Sequence, residues 1–152
     1  MASFLCQVQT IQRSAGRSVV AAAAYRSGDR LVDERLAMEF DFAAKDGIEH
    51  AETLAPAGAP PAFRDREVLW NAAEAQESRK DAVPARELLL ALPHELNFEQ
   101  RRDLVRAFVA EHLVGQGMIA DVAMHRPGKE GDQRNFHAHV LVTTRSVGPT
   151  GF

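Results

Sequence analysis

Among the six histidines of the chain, His125, His137 and His139 stand out by spacing. Alternate side chains of an extended strand share a face, so His137 and His139 of the His-Ala-His run point the same way. An antiparallel neighbour ending at His125 would bring a third imidazole beside them. Three neutral ring nitrogens can hold a divalent metal and leave coordination positions open for substrate oxygens, as a Lewis acid requires. A lone His-X-His pair suits a solvated sheet face equally well; the third histidine on an adjoining strand favours the metal. Asp121 lies four residues before His125, on the same strand face, and Glu87 faces with Leu89 and Ala91, so either carboxylate can receive an imidazole N–H. His50, His94 and His112 show no such grouping and read as surface or capping residues.

The second chemical feature is Tyr25, the single tyrosine. It ends the run VVAAAAY, whose small side chains let a bulky partner such as a DNA backbone approach the hydroxyl. A phenol titrates near ~10, so attack on a phosphodiester at neutral pH needs a base, a neighbouring cation or a metal-polarised phosphate. Arg13, Arg17 and Arg26 are candidate supports. A tyrosine on an alanine-rich helix is ordinarily a packing or surface residue; its combination with the histidines gives it the sharper reading.

The elements that must position these groups follow from pattern. Residues 3–11 alternate as a strand, SAGRS supplies capping residues, residues 18–25 favour helix, and Ser27-Gly28 ends it. Residues 37–42 and 48–54 read as a hairpin around Lys45-Asp46-Gly47, and APAGAPPA is a loop. Helical spacing runs from 64 to 80, and residues 85–92, bounded by prolines, form a central strand. Asn97 and Gln100 make a capping box for an amphipathic helix ending near Gly115. Residues 118–125 and 135–143 are two strands joined by a polar, glycine-containing connection, an antiparallel pair. The class expected is α+β, with a central, mainly antiparallel sheet flanked by helices.

With 152 residues, 45% hydrophobic and 26% charged, the chain has the balance of one globular domain over residues 1–152. Its one cysteine, Cys6, excludes a disulfide framework or a cysteine zinc site and reads as a buried thiol. No apolar run reaches the length of a membrane span, which points to a soluble protein, and the single cysteine makes a reducing cytoplasm its natural compartment. A net charge of −3 argues against a non-specific polyanion binder. Arg13, Arg17, Arg26, Arg30 and Arg35 nevertheless fall close together, allowing a basic face. The ending SVGPTGF, without a closing helix, suggests the amino-terminal part of a longer protein.

Three segments, IQRSAGRSVVAAAAYRSGDRL, LWNAAEAQESRKDAVPARELLLALP and DVAMHRPGKEGDQRNFHAHVLVTTR, together resemble the MobA/MobL family of plasmid-mobilisation relaxases, the MobQ type within the HUH endonucleases. The resemblance implies Tyr25 as nucleophile, His125, His137 and His139 as ligands of Mg²⁺ or Mn²⁺, and Glu87 as general base or partner of a ligand. It implies single-stranded DNA at an origin of transfer as substrate, nicked by transesterification to give a 5′-phosphotyrosine and a free 3′ hydroxyl. It also implies relaxosome accessory proteins and a type IV secretion coupling protein as partners, no membrane, and passage from a bacterial cytoplasm into the recipient with the DNA. Glu74, on the acidic helix, reads as part of a solvated face. Two alternatives stay open: a hydrolytic metal nuclease in which Tyr25 is structural, and a non-catalytic DNA-binding module in which arginines hold phosphate.

Overall fold

The computed structural model describes residues 6–152. In chain order the elements are β1 (Cys6–Ile11), α1 (Val19–Ser27), β2 (Arg30–Asp33), β3 (Met38–Asp41), β4 (Ile48–Leu54), α2 (Arg66–Ala75), β5 (Ala85–Leu92), α3 (Phe98–His112), β6 (Ala120–His125) and β7 (Phe136–Thr143). Five strands form one sheet in the order β1-β5-β7-β6-β4, and every pairing is antiparallel. The class is α+β, as the pattern predicts. Among the described residues no helix is long and apolar enough to cross a membrane.

Strand alternation divides the apolar residues into two cores. On one face Ile11, Ala85 and Leu141 pack with Val19, Val20 and Ala24 of α1 and Leu69 and Trp70 of α2. On the other, Leu88, Leu90, Val122, Met124, Val140 and Val142 pack with Val105 and Val109 of α3. Full burial of one such aliphatic side chain stabilises by about 1.5–3 kcal/mol. A one-residue slip of β7 would exchange the faces, moving both histidines into the α3 core, so the apolar pattern fixes the register that the site needs.

Local signals fix the helix that carries Tyr25. Ser18 accepts from the Ala21 amide at 3.0 Å and donates to Asp33 at 2.6 Å, tying the start of α1 to β2. Gly28 closes it with φ 73° and an amide bond to the Ala24 carbonyl. A Cβ on Gly28 would lie 2.6 Å from Ile48 Cδ1 and would sit on a left-handed backbone that L side chains rarely adopt, so glycine suits this turn beside β4.

The structure corrects several expectations. Residues 37–42 and 48–54 do not form a hairpin: β3 pairs with β2, and β4 pairs with β6 at the edge of the large sheet. The β2–β3 reversal contains no glycine or asparagine; Asp33 accepts the Leu36 amide at 3.1 Å and Ala37 takes φ 53°, so the usual turn signal is missing. The helix expected over 64–80 spans only Arg66–Ala75. At its end and beyond, the Arg13 guanidinium donates to the carbonyls of Glu74, Glu77 and Arg79, satisfying groups that a longer helix would bond internally. Cys6 is exposed rather than buried. It lies on an edge strand, and Val8, two residues along on the same face, is 60% exposed. Residues 3–5 of the expected first strand lie outside the described residues.

Candidate metal and nucleophile site

The β6–β7 register sets His125 opposite His137 and Ala123 opposite His139, on the face that carries α1 and α2. The imidazole centroids are separated by 5.1 Å for His125 and His137, 4.7 Å for His125 and His139, and 5.2 Å for His137 and His139. One ligand nitrogen from each ring lies within 4.8 Å of the others, so the three histidines are placed to bind a metal ion.

Each ring donates one N–H to a fixed acceptor. His125 Nε2 donates to the Arg26 carbonyl at 2.8 Å, His137 Nδ1 to the Asn135 carbonyl at 3.1 Å, and His139 Nδ1 to Glu87 Oε1 at 2.7 Å. These bonds hold the rings and assign each neutral imidazole one unprotonated nitrogen. Burial pushes the His125 pKa down to about 4 and also lowers that of His137. Both rings are therefore neutral, and competent as ligands, at neutral pH.

Glu87 is 5% exposed on β5 and lies directly behind this cluster. Burial opposes its ionisation, but hydrogen bonds from His139 and Arg26 outweigh that effect and hold its carboxyl below the ordinary range. Oε2 receives Arg26 Nη2 at 2.6 Å while Oε1 serves His139. A carboxylate engaged on both oxygens orients and polarises His139; it is poorly disposed to take a proton from Tyr25.

Arg26 thus acts at two points, its carbonyl on His125 and its guanidinium on Glu87. Because Arg26 follows Tyr25 on α1, these bonds tie the end of the tyrosine helix to the histidine cluster. Tyr25 itself is 48% exposed. Its ring meets Phe42 edge-on at 5.2 Å, and Lys45 Nζ sits 3.4 Å from its centroid. Over the adjacent sheet face a cavity of about 160 Å³ is lined by Leu89, Ala91, Asn135, His137 and His139.

The remaining expected residues are placed differently. Asp121 shares the strand face of His125, but its carboxylate receives Arg66 Nε at 2.8 Å and Trp70 Nε1 at 2.9 Å, a bond network joining α2 to the sheet. Arg66 continues to Asp29 at 2.6 Å. Arg13 is committed to Glu74 at 2.6 Å and to the end of α2. Arg26 is paired as described, whereas the Arg17 guanidinium makes no hydrogen bond or ion pair among the described residues. Glu74 lies buried between Arg13 and Arg35, not on a solvated face. The arginine cluster of the sequence is thus largely neutralised within the fold. Lys45 was legible in the sequence only as a turn residue, since nothing local places it over Tyr25.

Comparison with known proteins agrees with this architecture. Residues 17–152 match the model of the MobA/MobL family. The chain is 36% identical to Mobilization protein MobL of Acidithiobacillus ferridurans, over 99% of this chain and 45% of that protein. It is 40% identical to Conjugal transfer protein TraA of Agrobacterium fabrum, over 93% of this chain and 13% of that protein. The chain therefore spans less than half the length of these relatives. A solved structure described as the molecular basis of vancomycin resistance transfer in Staphylococcus aureus superposes with a TM-score of 0.88 at 33% identity, covering 99% of this chain and 74% of that one. The chain belongs to the MobA/MobL family.

Proposed function

We propose that the chain is the nicking and rejoining domain of a mobilisation relaxase, acting on one DNA strand at an origin of transfer. The observation that carries this reading is the double tie of Arg26 to His125 and Glu87, which anchors the helix carrying an exposed Tyr25 beside three clustered imidazoles.

In this reading His125, His137 and His139 would hold a divalent ion, which would supply charge neutralisation to the scissile phosphate. The all-imidazole donor set suits a transition ion better than Mg²⁺, so of the expected Mg²⁺ and Mn²⁺ the latter is the first to test. Tyr25 Oη forms a bond to phosphorus as the bond to O3′ breaks. The phenolic proton passes to water and the departing O3′ takes a proton. One phosphodiester replaces another, so the 5′ end stays joined to the protein and the step can be reversed. Glu87 keeps His139 oriented, and Arg26 holds Tyr25 and the cluster in one frame. Arg17, whose guanidinium has no partner among the described residues, is the best disposed of the three expected arginines to meet a DNA phosphate. Relaxosome proteins and a secretion coupling protein are the partners this role would require, with the rest of a longer protein completing them.

The test uses single-stranded oligonucleotides tiled across an origin of transfer, labelled at either end, with Mn²⁺, wild-type protein and Tyr25→Phe. A denaturant-resistant adduct carrying only the 3′ label, absent in the variant, is the expected result. Cleavage without an adduct, unaffected by the substitution, would instead establish hydrolysis. Metal-independent binding without cleavage would leave a DNA-binding module.

A further inference from the structure

Lys45 lies in the turn between β3 and β4, far in sequence from the helix it serves. Its Nζ donates to the Tyr25 carbonyl at 2.7 Å and lies 3.4 Å from the centroid of the same residue's ring. The first contact places a cation at the carboxyl-terminal end of α1, where the helix dipole favours positive charge. The second places it against the π face of the phenol, an attractive geometry for an ammonium group. The turn is itself held: the Lys45 amide bonds the Phe42 carbonyl at 3.0 Å and the Phe42 amide bonds the Asp29 carbonyl at 3.0 Å. Phe42 then closes on the Tyr25 ring from its edge. Tyr25 is consequently half exposed yet contacted by two side chains from one turn.

Lys45 also has an unusual electrostatic setting. It forms no salt bridge with an acid among the described residues, and its charge reaches the histidine cluster, where it disfavours protonation of His125 and His137. Burial, and then the charge of Arg26, hold its own pKa below the usual lysine value. A lysine serving only solubility would point to water; this one is half-buried and folded back onto the phenol.

We infer that Lys45 is the positioning residue for Tyr25, holding its ring in one orientation at the end of α1 and keeping a positive charge against the ring whose oxygen becomes negative during transfer. The inference rests on the proposed role of Tyr25, but its geometric half can be tested without DNA. Because the chain has one tyrosine, protein labelled with ¹³C-tyrosine gives ring signals from Tyr25 alone. Lys45→Met keeps the length of the stem and removes the charge, while Lys45→Arg keeps the charge.

In Lys45→Met the ring signals are expected to shift and broaden as the ring samples further orientations, with Lys45→Arg staying close to wild type. In the adduct assay, the first-order rate at saturating oligonucleotide is expected to fall about tenfold in Lys45→Met, with the dissociation constant for DNA changed by less than about threefold and the rate largely restored in Lys45→Arg. Unchanged ring signals in Lys45→Met, or a loss confined to DNA affinity, would overturn the inference. If wild-type protein forms no adduct, the nucleophile reading fails, and the ring signals alone decide whether Lys45 positions Tyr25.

Discussion

Replacing Glu87 by glutamine removes one charge from the site with almost no change of shape. In the structure the carboxylate accepts from His139 Nδ1 at 2.7 Å and from Arg26 Nη2 at 2.6 Å. An amide has one oxygen to accept with, so its NH₂ must face one of those two donors. Losing a partner at a buried polar pair costs about 1–3 kcal/mol. For a domain of this size about 2 kcal/mol lowers Tm by roughly 4–8 °C. The effect on metal binding is separate: weakening the outer hydrogen bond of a ligating histidine typically lowers affinity about 10–100-fold, equivalent to about 1.4–2.7 kcal/mol. Thermal denaturation in EDTA reads the first quantity, and calorimetric titration with Mn²⁺ at a temperature well below both transitions reads the second. Glu87→Gln is expected to be moderately destabilised and at least about tenfold weaker for metal. An EDTA-stripped protein that loses stability but binds Mn²⁺ as wild type does would refute the orienting role, leaving Glu87 as the counter-ion of Arg26 only. No change in either quantity would show that the Arg26–Glu87–His139 chain does not form in solution.

Three further outcomes follow from the same geometry. His137→Ala should abolish the rise in Tm produced by Mn²⁺ while leaving the metal-free Tm within a few degrees of wild type, because its ring is part-exposed and bonds only the Asn135 carbonyl; a retained shift would place the metal elsewhere. The pKa of His125 is about 4 in the fold against about 6.5 in the unfolded chain, so the unfolded state binds more protons between these values and stability falls as pH drops through that window. From pH 7 to pH 5 this contributes about 2 kcal/mol. In urea titrations of metal-free protein, His125→Asn should lose stability less steeply than wild type over this range, and parallel curves would contradict the assigned burial. Arg66→Met should cost about 3–5 kcal/mol in the same assay, because Asp121 is left charged and buried with Trp70 as its remaining partner. Mn²⁺ affinity below the unfolding transition should be unchanged, and a large loss of affinity would return Asp121 to the metal site.

The primary sequence by itself determined the strand alternation that puts His137 and His139 on one face, the capping residues Ser18 and Gly28 that bound the tyrosine helix, and the capping box of α3. These are periodicities and local hydrogen bonds, which a short stretch of chain carries within itself. The α+β class followed for the same reason, since alternation and helical spacing change cleanly along the chain. The pairing of β4 with β6, instead of with β3, was decided by tertiary structure, because turn residues specify a reversal of direction but not which distant edge satisfies the strand. Long-range partners decided the roles of individual charges in the same way. Arg13 and Arg26 look like phosphate ligands in sequence, yet the fold brings Glu74 and Glu87 to them from more than sixty residues away. Asp121 shares a strand face with His125 but is claimed by α2, since its orientation along the strand left open which helix would cover it. The sequence could name Tyr25 and the histidines; only the packing of α1 and the β3–β4 turn against the sheet could put Lys45 on the tyrosine ring and Arg26 on His125.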